Sequence, residues 1–240
     1  ASQPGNHGTA CFRFTLPRLP TPESLLEAVI AVVRDVAARE IMPRYQKVAH
    51  SLKADGSLLT EADVASQTAL SAQLHAVFPA PVLGEEMTAQ HQAEQWLRGD
   101  SGLWCVDPID GTSNFVNGLP FFAVSVALVR SGRPVLGVVL DPVADEVFSA
   151  ARGRGAFLNG VRLPIKTYVP AFANAMAAVD FKRVDAALAH WLATARPFMS
   201  QRSYGASTRE WSYTAAGRFD LYLHGGQKLW DYAAGALILA

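Results

Sequence analysis

The sequence has no excess of either charge, no cysteine framework and no long apolar run. Lys and Arg together number 21, and so do Asp and Glu, so composition provides no electrostatic surface for nucleic acid or for an anionic membrane. The apolar stretches are too short to cross a bilayer. With only Cys11 and Cys105, the chain indicates a reducing, cytoplasmic setting without a disulfide scaffold.

Internal repeats and low-complexity segments are missing as well. What is present is a chain of 240 residues, 50% hydrophobic and 18% charged, which is typical of one large globular domain or two small ones. Residues 1–20 carry Pro, Gly, His and Arg without an apolar h-region. They predict a flexible tail, not a signal peptide.

Capping and breaker residues divide the rest of the chain into alternating helices and strands. Thr21 followed by Pro22 predicts the start of one helix, and Glu61 opens a second. Residues 54–57 predict a turn. Further helices are predicted over 184–195, 207–216 and 230–239, and strands over 58–60, 81–83, 124–129, 135–140, 146–151, 175–179 and 219–223. The last helix is cut off, so we expect that a C-terminal part is missing.

The most informative pattern lies between Leu103 and Leu128. An apolar run ends at Asp107, Pro108 is expected to break it, and Asp110 and Gly111 follow. The pattern predicts a buried strand that presents polar groups at its end. Open α/β sheets bind their ligands at such strand ends.

Asp107 and Asp110 flank one Pro-Ile step, and without a nearby Lys or Arg their carboxylates repel each other. A divalent cation held by these oxygens and the Ile109 carbonyl would relieve that repulsion, and all-oxygen ligands suit Mg²⁺ or Mn²⁺. Gly111 and Thr112 add backbone N–H groups at the start of a short helix, where anions bind. The pattern predicts metal-assisted phosphate chemistry. A polar turn with a capping Asp is the alternative.

Four ordered motifs resemble the inositol monophosphatase family of Mg²⁺-dependent, lithium-sensitive phosphatases. The stretch 107–115 resembles the family's first signature, and 230–235 resembles its second. Gly84-Glu85-Glu86 and Thr60-Glu61-Ala62-Asp63 stand in the family's order at similar spacing. The resemblance covers residue 21 to the end. It implies an α/β fold, a layered αβαβα sandwich of the sugar-phosphatase type.

The resemblance also implies a two-part organisation after the tail at 1–20. An N-terminal α+β half over 21–150 would carry the metal site, and a C-terminal α/β half over 151–240 would carry the substrate-specificity segment. The active site is then expected between the halves. Relatives are commonly homodimers, so a homodimer is expected here.

By position, the resemblance assigns metal ligation to Glu85, Asp107, the Ile109 carbonyl, Asp110 and Asp231. These would hold two or three Mg²⁺ ions, with Mn²⁺ as an alternative. Asp63 and Thr112 resemble the pair that orients and deprotonates the attacking water, and Glu85 completes the catalytic set. Gly111 and Thr112 resemble the backbone donors to phosphate. Helix N-termini also favour acids such as Asp63 without any catalytic role.

Substrate choice in the family depends on the segment between the two signatures. Arg202, Gly205 and Ser207 fall on positions that line the pocket in relatives. His224 stands where enzymes acting on inositol phosphate commonly carry Glu, and a protonated His224 would suit a more anionic substrate. A rim position without substrate contact is the alternative for His224. Lys53 falls where the family often has a basic residue near the active-site loop, but a solvated lysine is the commoner explanation.

The predicted function is hydrolysis of a small phosphorylated metabolite, with inositol 1-phosphate as first candidate, by a metal-activated water. The alternative substrates within the superfamily are histidinol phosphate, a fructose bisphosphate and a 3′,5′-bisphosphate nucleotide. A regulatory protein that binds the transcription machinery is the alternative from another class, because some bacterial relatives do so. The balanced charge argues against direct contact with nucleic acid.

Overall fold

The computed structural model describes residues 21–47, 49–53, 58–164, 168 and 170–240. The predicted tail over 1–20, with Cys11, and the turn predicted at 54–57 lie outside the described residues. Within the described ranges, each helix and strand predicted from the sequence is present to within a few residues. No helix among them is both long and apolar enough to span a membrane.

Capping chemistry determines where the first helices begin. Thr21 accepts the Ser24 N–H at 3.2 Å ahead of Pro22, and Thr60 and Asp63 form a capping box at the second helix. Both devices satisfy N–H groups that lack helical partners. The helices are α1 (Pro22–Val36, continued by a π-helical turn at Ala37–Ile41), α2 (Glu61–Val77), α3 (Ala89–Arg98), α4 (Thr112–Val116), α5 (Ala186–Ala195), α6 (Ser207–Ala215) and α7 (Leu229–Leu239), with a 3₁₀ turn at Phe172–Asn174.

The described strands form three sheets. Their bounds are β1 His50–Leu52, β2 Leu58–Thr60, β3 Val82–Gly84, β4 Leu103–Asp110, β5 Ala123–Arg130, β6 Arg133–Asp141, β7 Glu146–Ala151, β8 Gly155–Leu158, β9 Val161–Arg162, β10 Met176–Val179, β11 Ser200–Arg202 and β12 Leu221–Leu223. β3 to β9 form one sheet in sequence order, β11-β10-β12 a second, and β1-β2 a third. β3 runs parallel to β4, and the three-stranded sheet is parallel throughout.

Helices and sheets alternate in five layers. α1 and α2 cover one face of the seven-stranded sheet through a core that includes Val33, Leu70 and Trp104. α6 and α7 lie on the opposite face, where Ala234 is buried. The three-stranded sheet follows, since α6 also contacts β12, and α5 covers that sheet through Leu192. This αβαβα order confirms the predicted α/β fold.

The predicted division at residues 150 and 151 does not coincide with an edge of the large sheet. β8 pairs with β7 through Ala151 and Gly155, and β9 pairs with β8. The sheet therefore continues to Arg162, because a meander of short hairpins adds each strand directly to the one before it. The two-part organisation itself stays a prediction.

Candidate active site

A bulge in β4 brings Asp107 and Asp110 to the same face. Asp107 pairs with Ser125 and Asp110 with Ala123, so three steps along β4 oppose two along β5. Two residues that are three apart point to opposite faces of a regular strand. The extra residue of a bulge reverses this, so Asp107 and Asp110 point to the same face. Contrary to the prediction, Pro108 does not end the strand. It is accommodated at the irregularity, where it needs no ladder partner for an N–H.

Glu85 and Asp231 reach the same place from other elements. Because β3 is parallel to β4, Glu85 leaves β3 at the sheet edge where β4 ends, and its N–H donates to Val106 O at 3.2 Å. Asp231 lies in the first turn of α7, where one oxygen accepts the Lys228 N–H at 2.7 Å. This cap uses one oxygen of the Asp231 carboxylate and leaves the other able to bind a metal ion.

Small residues set the position of α7, and with it the position of Asp231. A Cβ on Gly235 would come within 2.3 Å of Trp211 Cβ on α6. On the sheet side, Ala234 lies close over Gly137 of β6. The second signature, 230–235, therefore contains both the candidate metal ligand Asp231 and the small residues through which α7 packs against α6 and β6.

The four carboxylates line one cavity of about 180 Å³. Burial, followed by the neighbouring acids, raises the pKa of Asp107 well above its ordinary value. Burial and Asp231 raise the pKa of Asp110 to about 7, and burial raises the pKa of Asp231 to about 6. These shifts are those expected of acids whose charges repel in a poorly solvated space.

The donor set fits a hard divalent cation. Carboxylates and the Ile109 carbonyl are the oxygen ligands that Mg²⁺ and Mn²⁺ take, and the negative charge of the cavity is buried. Among the described residues, no three His, Cys, Asp or Glu side chains are drawn together as a preformed metal group. The fit therefore rests on the type, burial and shared cavity of the donors.

Lys53 compensates part of this negative charge. Its ammonium lies 2.8 Å from Glu85 Oε1 and 2.7 Å from Glu86 Oε1, with 18% of its side chain exposed. The interpretation of Lys53 as a solvated lysine is therefore wrong. Burial still raises the pKa of Glu86 to about 7 despite this partner. Glu85 thus faces both an ammonium and the acidic cavity.

Asp63 and Thr112 meet near the Ile109 carbonyl. Asp63 Oδ2 accepts the Thr60 N–H at 2.7 Å and the Thr60 hydroxyl at 2.6 Å, while Asp63 Oδ1 lies 3.4 Å from Thr112 Oγ1. The Thr112 hydroxyl also lies 3.0 Å from Ile109 O. One hydroxyl proton cannot serve both acceptors fully. When another group engages the Ile109 carbonyl, Thr112 can donate to Asp63 and accept from a water, which is the geometry of a proton relay.

Gly111 makes the turn from β4 into α4. Its φ is +87°, and a Cβ there would lie 3.0 Å from Ala206 Cβ and 3.1 Å from Phe121 O. Both the left-handed backbone and the close approach therefore require glycine. The N–H groups of Asn114 and Phe115 already donate to Gly111 O. The earlier amides at Gly111 and Thr112, both of which line the cavity, are the ones available to an anion.

Asp110 is fixed by Thr208 on α6. The Thr208 N–H donates to Asp110 Oδ2 at 2.6 Å, and the Thr208 hydroxyl donates to the same oxygen at 2.7 Å. Both bonds favour the charged carboxylate and oppose the rise of its pKa. They also leave Oδ1 as the freer oxygen, so Thr208 orients this candidate ligand.

Two of the three predicted specificity residues reach the cavity. Gly205 and Ser207 line it, and Ser207 Oγ lies 3.0 Å from the Tyr222 hydroxyl. Arg202 is exposed, and its guanidinium bonds to Ser200 Oγ at 2.9 Å and to Gln201 O at 2.8 Å. Within the described residues, the pocket position predicted for Arg202 is not met, because the side chain folds back on the edge strand β11.

The cavity is also lined by residues that were not identified as site residues from the sequence, among them Asp180, Arg183, Glu210 and Tyr222. Glu210 is buried, accepts the Tyr204 N–H at 2.9 Å, and has its pKa raised by burial. Asp180 directly follows the strand predicted at 175–179. An acid at a strand end is the same signal that marks Glu85 and Asp107, so it could have been found.

His224 lines the cavity. The Gly226 N–H donates to His224 Nδ1 at 3.2 Å, which places the ring proton on Nε2. Nε2 lies 3.4 Å from Asp180 Oδ2. Burial lowers the pKa of His224. Burial thus disfavours the protonated form that would suit a more anionic substrate, and a contact between His224 and the substrate stays a prediction.

Carboxylates from the end of β3, from β4 and from the first turn of α7 thus share one cavity with the first amides of α4, and this arrangement fits the hydrolysis of phosphoric monoesters. The chain belongs to the inositol monophosphatase family, whose sequence model matches residues 21–240. That family is metal-dependent, in agreement with the donor set of the cavity.

Individual relatives support this assignment. The chain is 38% identical over 190 residues to the Nus factor SuhB of Pseudomonas aeruginosa, a match that covers 75% of this chain and 68% of that protein. It is 38% identical over 192 residues to inositol monophosphatase 2 of Solanum lycopersicum, covering 76% and 71%. Its fold is similar to that of an IMPase from Thermotoga maritima, with 29% identity, a TM-score of 0.76, and coverage of 89% and 81%.

Proposed function

We propose that the chain is a Mg²⁺-dependent phosphomonoesterase of small phosphorylated metabolites, with inositol 1-phosphate as first candidate. The observation that carries the proposal is the bulge that turns Asp107 and Asp110 into one cavity with Glu85 and Asp231. This cavity adjoins the first amides of α4. Phosphate monoesters hydrolyse extremely slowly alone, so a concentrated electrostatic site is what the reaction needs.

Each group has a chemical role in this proposal. Two or three Mg²⁺ ions, or Mn²⁺ in their place, would activate a water and neutralise the leaving alkoxide. The groups that would hold them are Glu85, Asp107, the Ile109 carbonyl, Asp110 and Asp231. Asp63 takes the proton of the attacking water through the Thr112 hydroxyl. The N–H groups of Gly111 and Thr112 orient the phosphate.

Phosphate release over a substrate panel tests the proposal. The panel comprises inositol 1-phosphate, histidinol phosphate, fructose 1,6-bisphosphate and adenosine 3′,5′-bisphosphate, each with EDTA, Mg²⁺, Mn²⁺, or Mg²⁺ plus Li⁺. We expect release only with a divalent ion, inhibition by Li⁺, and the highest kcat/KM with inositol 1-phosphate. Equal release in EDTA would contradict the metal-dependent mechanism.

Thr208→Ala is expected to weaken Mg²⁺ binding about tenfold. Alanine keeps the N–H bond to Asp110 but removes the hydroxyl bond, and loss of a group that orients a metal ligand typically weakens affinity 10- to 100-fold. The measurement is the free Mg²⁺ concentration that half-saturates the protein in a calorimetric titration. Thr208→Ser, which restores the hydroxyl, should return this concentration to within about twofold of wild type. Equal effects of the Ala and Ser variants would contradict the role.

A regulatory function is the second candidate. It is supported by the 38% identity to a protein named Nus factor SuhB. Binding of the purified chain to purified RNA polymerase, measured by calorimetry, tests it. A catalytic protein without this second role would show no binding.

We further propose a cytoplasmic homodimer. The cytoplasmic location is supported by Cys105, a buried free thiol, and the homodimer by membership of the family. Light scattering on a sizing column, with and without reductant, should give twice the chain mass in both conditions. A monomer at micromolar concentration would contradict the homodimer.

A further inference from the structure

The turn that carries Glu85 begins where β3 ends at Gly84. The Glu85 N–H donates to Val106 O at 3.2 Å, which adds one step to the parallel pairing of β3 with β4. The Met87 N–H then donates to Gly84 O at 3.3 Å and closes the turn. The other peptide groups of the turn need partners from outside the sheet, because buried peptide groups are almost always paired.

Two glutamine side chains supply such partners from two helices. Gln67 on α2 accepts the Glu86 N–H through Oε1 at 2.9 Å. Gln92 on α3 donates from Nε2 to Gly84 O at 3.0 Å and to Glu85 O at 3.3 Å. These partners determine both amide orientations, because a peptide N–H only donates and a peptide carbonyl only accepts. One glutamine therefore acts as an acceptor, and the other acts as a donor.

Gln67 connects the turn to the helix that carries Asp63. A Cβ on Gly84 would lie 2.2 Å from Gln67 Oε1 and would displace it, so the close approach depends on glycine. Gln67 is 8% exposed, and a hydrogen bond in so poorly solvated a place is strengthened. Because Gln67 follows Asp63 by four residues on α2, both lie on one face of that helix. α2 therefore fixes the candidate base Asp63 relative to the peptide that follows Glu85.

The Glu85 carboxylate has two competing partners, so the position of its backbone matters. Its Oε1 lies 2.8 Å from the Lys53 ammonium, and its side chain also lines the cavity of the other candidate ligands. A cation in that cavity and the ammonium attract the same carboxylate. Since Mg²⁺ demands near-ideal coordination geometry, a shift of the Glu85 backbone would weaken its contact with the ion.

We infer that Gln67 and Gln92 are positioning residues for Glu85, because they hold the peptide groups on both sides of it and so keep its carboxylate where a divalent cation binds. This inference rests on the proposed metal-dependent function. Neither glutamine belongs to the residues that line the cavity of the carboxylates. Both therefore act through the backbone that carries Glu85, and not through contact with a cation or a substrate.

Gln67→Met and Gln92→Met test the inference through the affinity for Mg²⁺, measured by calorimetry on the metal-free full chain. Methionine keeps the length of the side chain and removes its amide. We expect the dissociation constant for Mg²⁺ to rise about tenfold in each variant, because loss of a group that orients a metal ligand typically weakens affinity 10- to 100-fold. A dissociation constant equal to that of wild type would overturn the role of the glutamine concerned.

Glutamate at each position separates the hydrogen bond from the charge. Gln67→Glu keeps an acceptor for the Glu86 N–H, whereas Gln92→Glu loses the donor to the two carbonyls. The added negative charge attracts a cation in both variants, so charge cannot account for a loss of affinity. We expect Gln67→Glu to bind Mg²⁺ at least as tightly as wild type, and Gln92→Glu to bind it about tenfold more weakly. Equal changes in the two variants would overturn the inference.

Matched variants separate positioning from a general loss of stability. Gln73→Met removes an amide of α2 that bonds to Asp35 Oδ2 at 3.0 Å. Gln90→Met removes an amide of α3 that bonds to Glu94 Oε1 at 3.0 Å. Both controls should bind Mg²⁺ within about twofold of wild type. If they weaken binding as much as Gln67→Met and Gln92→Met do, the loss belongs to the helices in general and the inference is overturned.

Hydrogen exchange in EDTA reports the bond to Gln67 without any metal. The Glu86 amide should exchange about 5- to 10-fold faster in Gln67→Met than in wild type, which is about the net worth of one hydrogen bond. In Gln73→Met it should exchange at the wild-type rate. Equal exchange of the Glu86 amide in wild type and Gln67→Met would overturn the role of Gln67.

Phosphate release distinguishes this inference from the proposed function. If wild type binds Mg²⁺ but releases no phosphate, while both Met variants bind Mg²⁺ more weakly, the positioning role is supported and the hydrolytic function fails. If wild type releases phosphate and both Met variants bind Mg²⁺ as tightly as it does, the function is supported and the positioning role is overturned. A wild-type chain that binds no Mg²⁺ would overturn both.

Discussion

Asp107→Asn is expected to lower Mg²⁺-dependent kcat/KM by about three orders of magnitude or more, because Asp107 is one of the charged groups that would hold the ions. Asp107 is 1% exposed and faces the cavity with Asp110, Asp231 and Glu85. Asparagine keeps the shape and the acceptor for the Ile109 N–H, which bonds to Asp107 Oδ1 at 3.1 Å. The chemical change is therefore the loss of charge, and the measurement is phosphate release against Mg²⁺ concentration.

The same variant should not be destabilised in the absence of metal. The folded-state pKa of Asp107 is raised above that of an unfolded chain, so the folded state binds the extra proton and loses stability as pH rises above the ordinary pKa of Asp. Asn has no charge to repel its neighbours. In EDTA at pH 7.5 we expect the Tm of Asp107→Asn to equal or exceed that of wild type. Each kcal/mol of relieved charge repulsion should raise the Tm by about 2–4 °C.

Added Mg²⁺ should then reverse the order of the two proteins. Binding to the folded state raises Tm by mass action, so wild type should gain stability and Asp107→Asn should gain little. Asp100→Asn, the same change at an exposed residue outside the cavity, should follow wild type in both activity and Tm. A large Mg²⁺-induced rise of Tm in Asp107→Asn would contradict the assignment of Asp107 as a ligand.

Much of the fold could be predicted because the signals are local. Thr21-Pro22 and Thr60 with Asp63 mark helix starts through bonds that span three residues. Apolar runs that end in acids mark β3, which Glu85 follows, and β4, which contains Asp107. The short strands β1 and β11 were beyond such reasoning, because His50–Leu52 and Ser200–Arg202 are mostly polar and contain no apolar run.

The rest depends on contacts between distant segments. The bulge at Pro108 exists because β5 pairs with β4 in a shifted register, and the sequence around Pro108 predicts a break equally well. Lys53 and Glu85 are 32 residues apart, and His224 and Asp180 are 44 apart. Only the folded arrangement shows which carboxylates pair with Lys53 and which nitrogen of His224 accepts a hydrogen bond.

Arg209 illustrates the same limit in the core. It forms an ion pair with Asp141, and the two side chains are 4% and 0% exposed. The guanidinium lies 3.8 Å from the ring centroid of Phe121 and donates to Pro120 O at 2.9 Å. Asp141 in turn accepts the Val143 N–H. The pair therefore ties α6 to the end of β6 and to the loop before β5.

Arg209→Met should destabilise the protein by about 3–5 kcal/mol, because it leaves the Asp141 carboxylate buried without its cation. The free energy of unfolding in urea is the measurement. Arg218→Met is the matched comparison, since Arg218 also lies over the Tyr213 ring and pairs with Glu146, but with 35% of its side chain exposed. Solvent screens that pair, so its loss should be about 1 kcal/mol or less.

A second change decides whether the uncompensated charge is the cause. Asp141→Asn keeps an oxygen for the Val143 and Ala144 N–H groups, which Asp141 Oδ1 accepts at 2.9 and 3.0 Å. Arg209→Met with Asp141→Asn removes both charges, and replacing a buried pair by neutral groups is often close to neutral. The double variant should therefore recover most of the lost stability. If it is no more stable than Arg209→Met, then the packing of Arg209 on Phe121 accounts for the loss, and the ion pair does not.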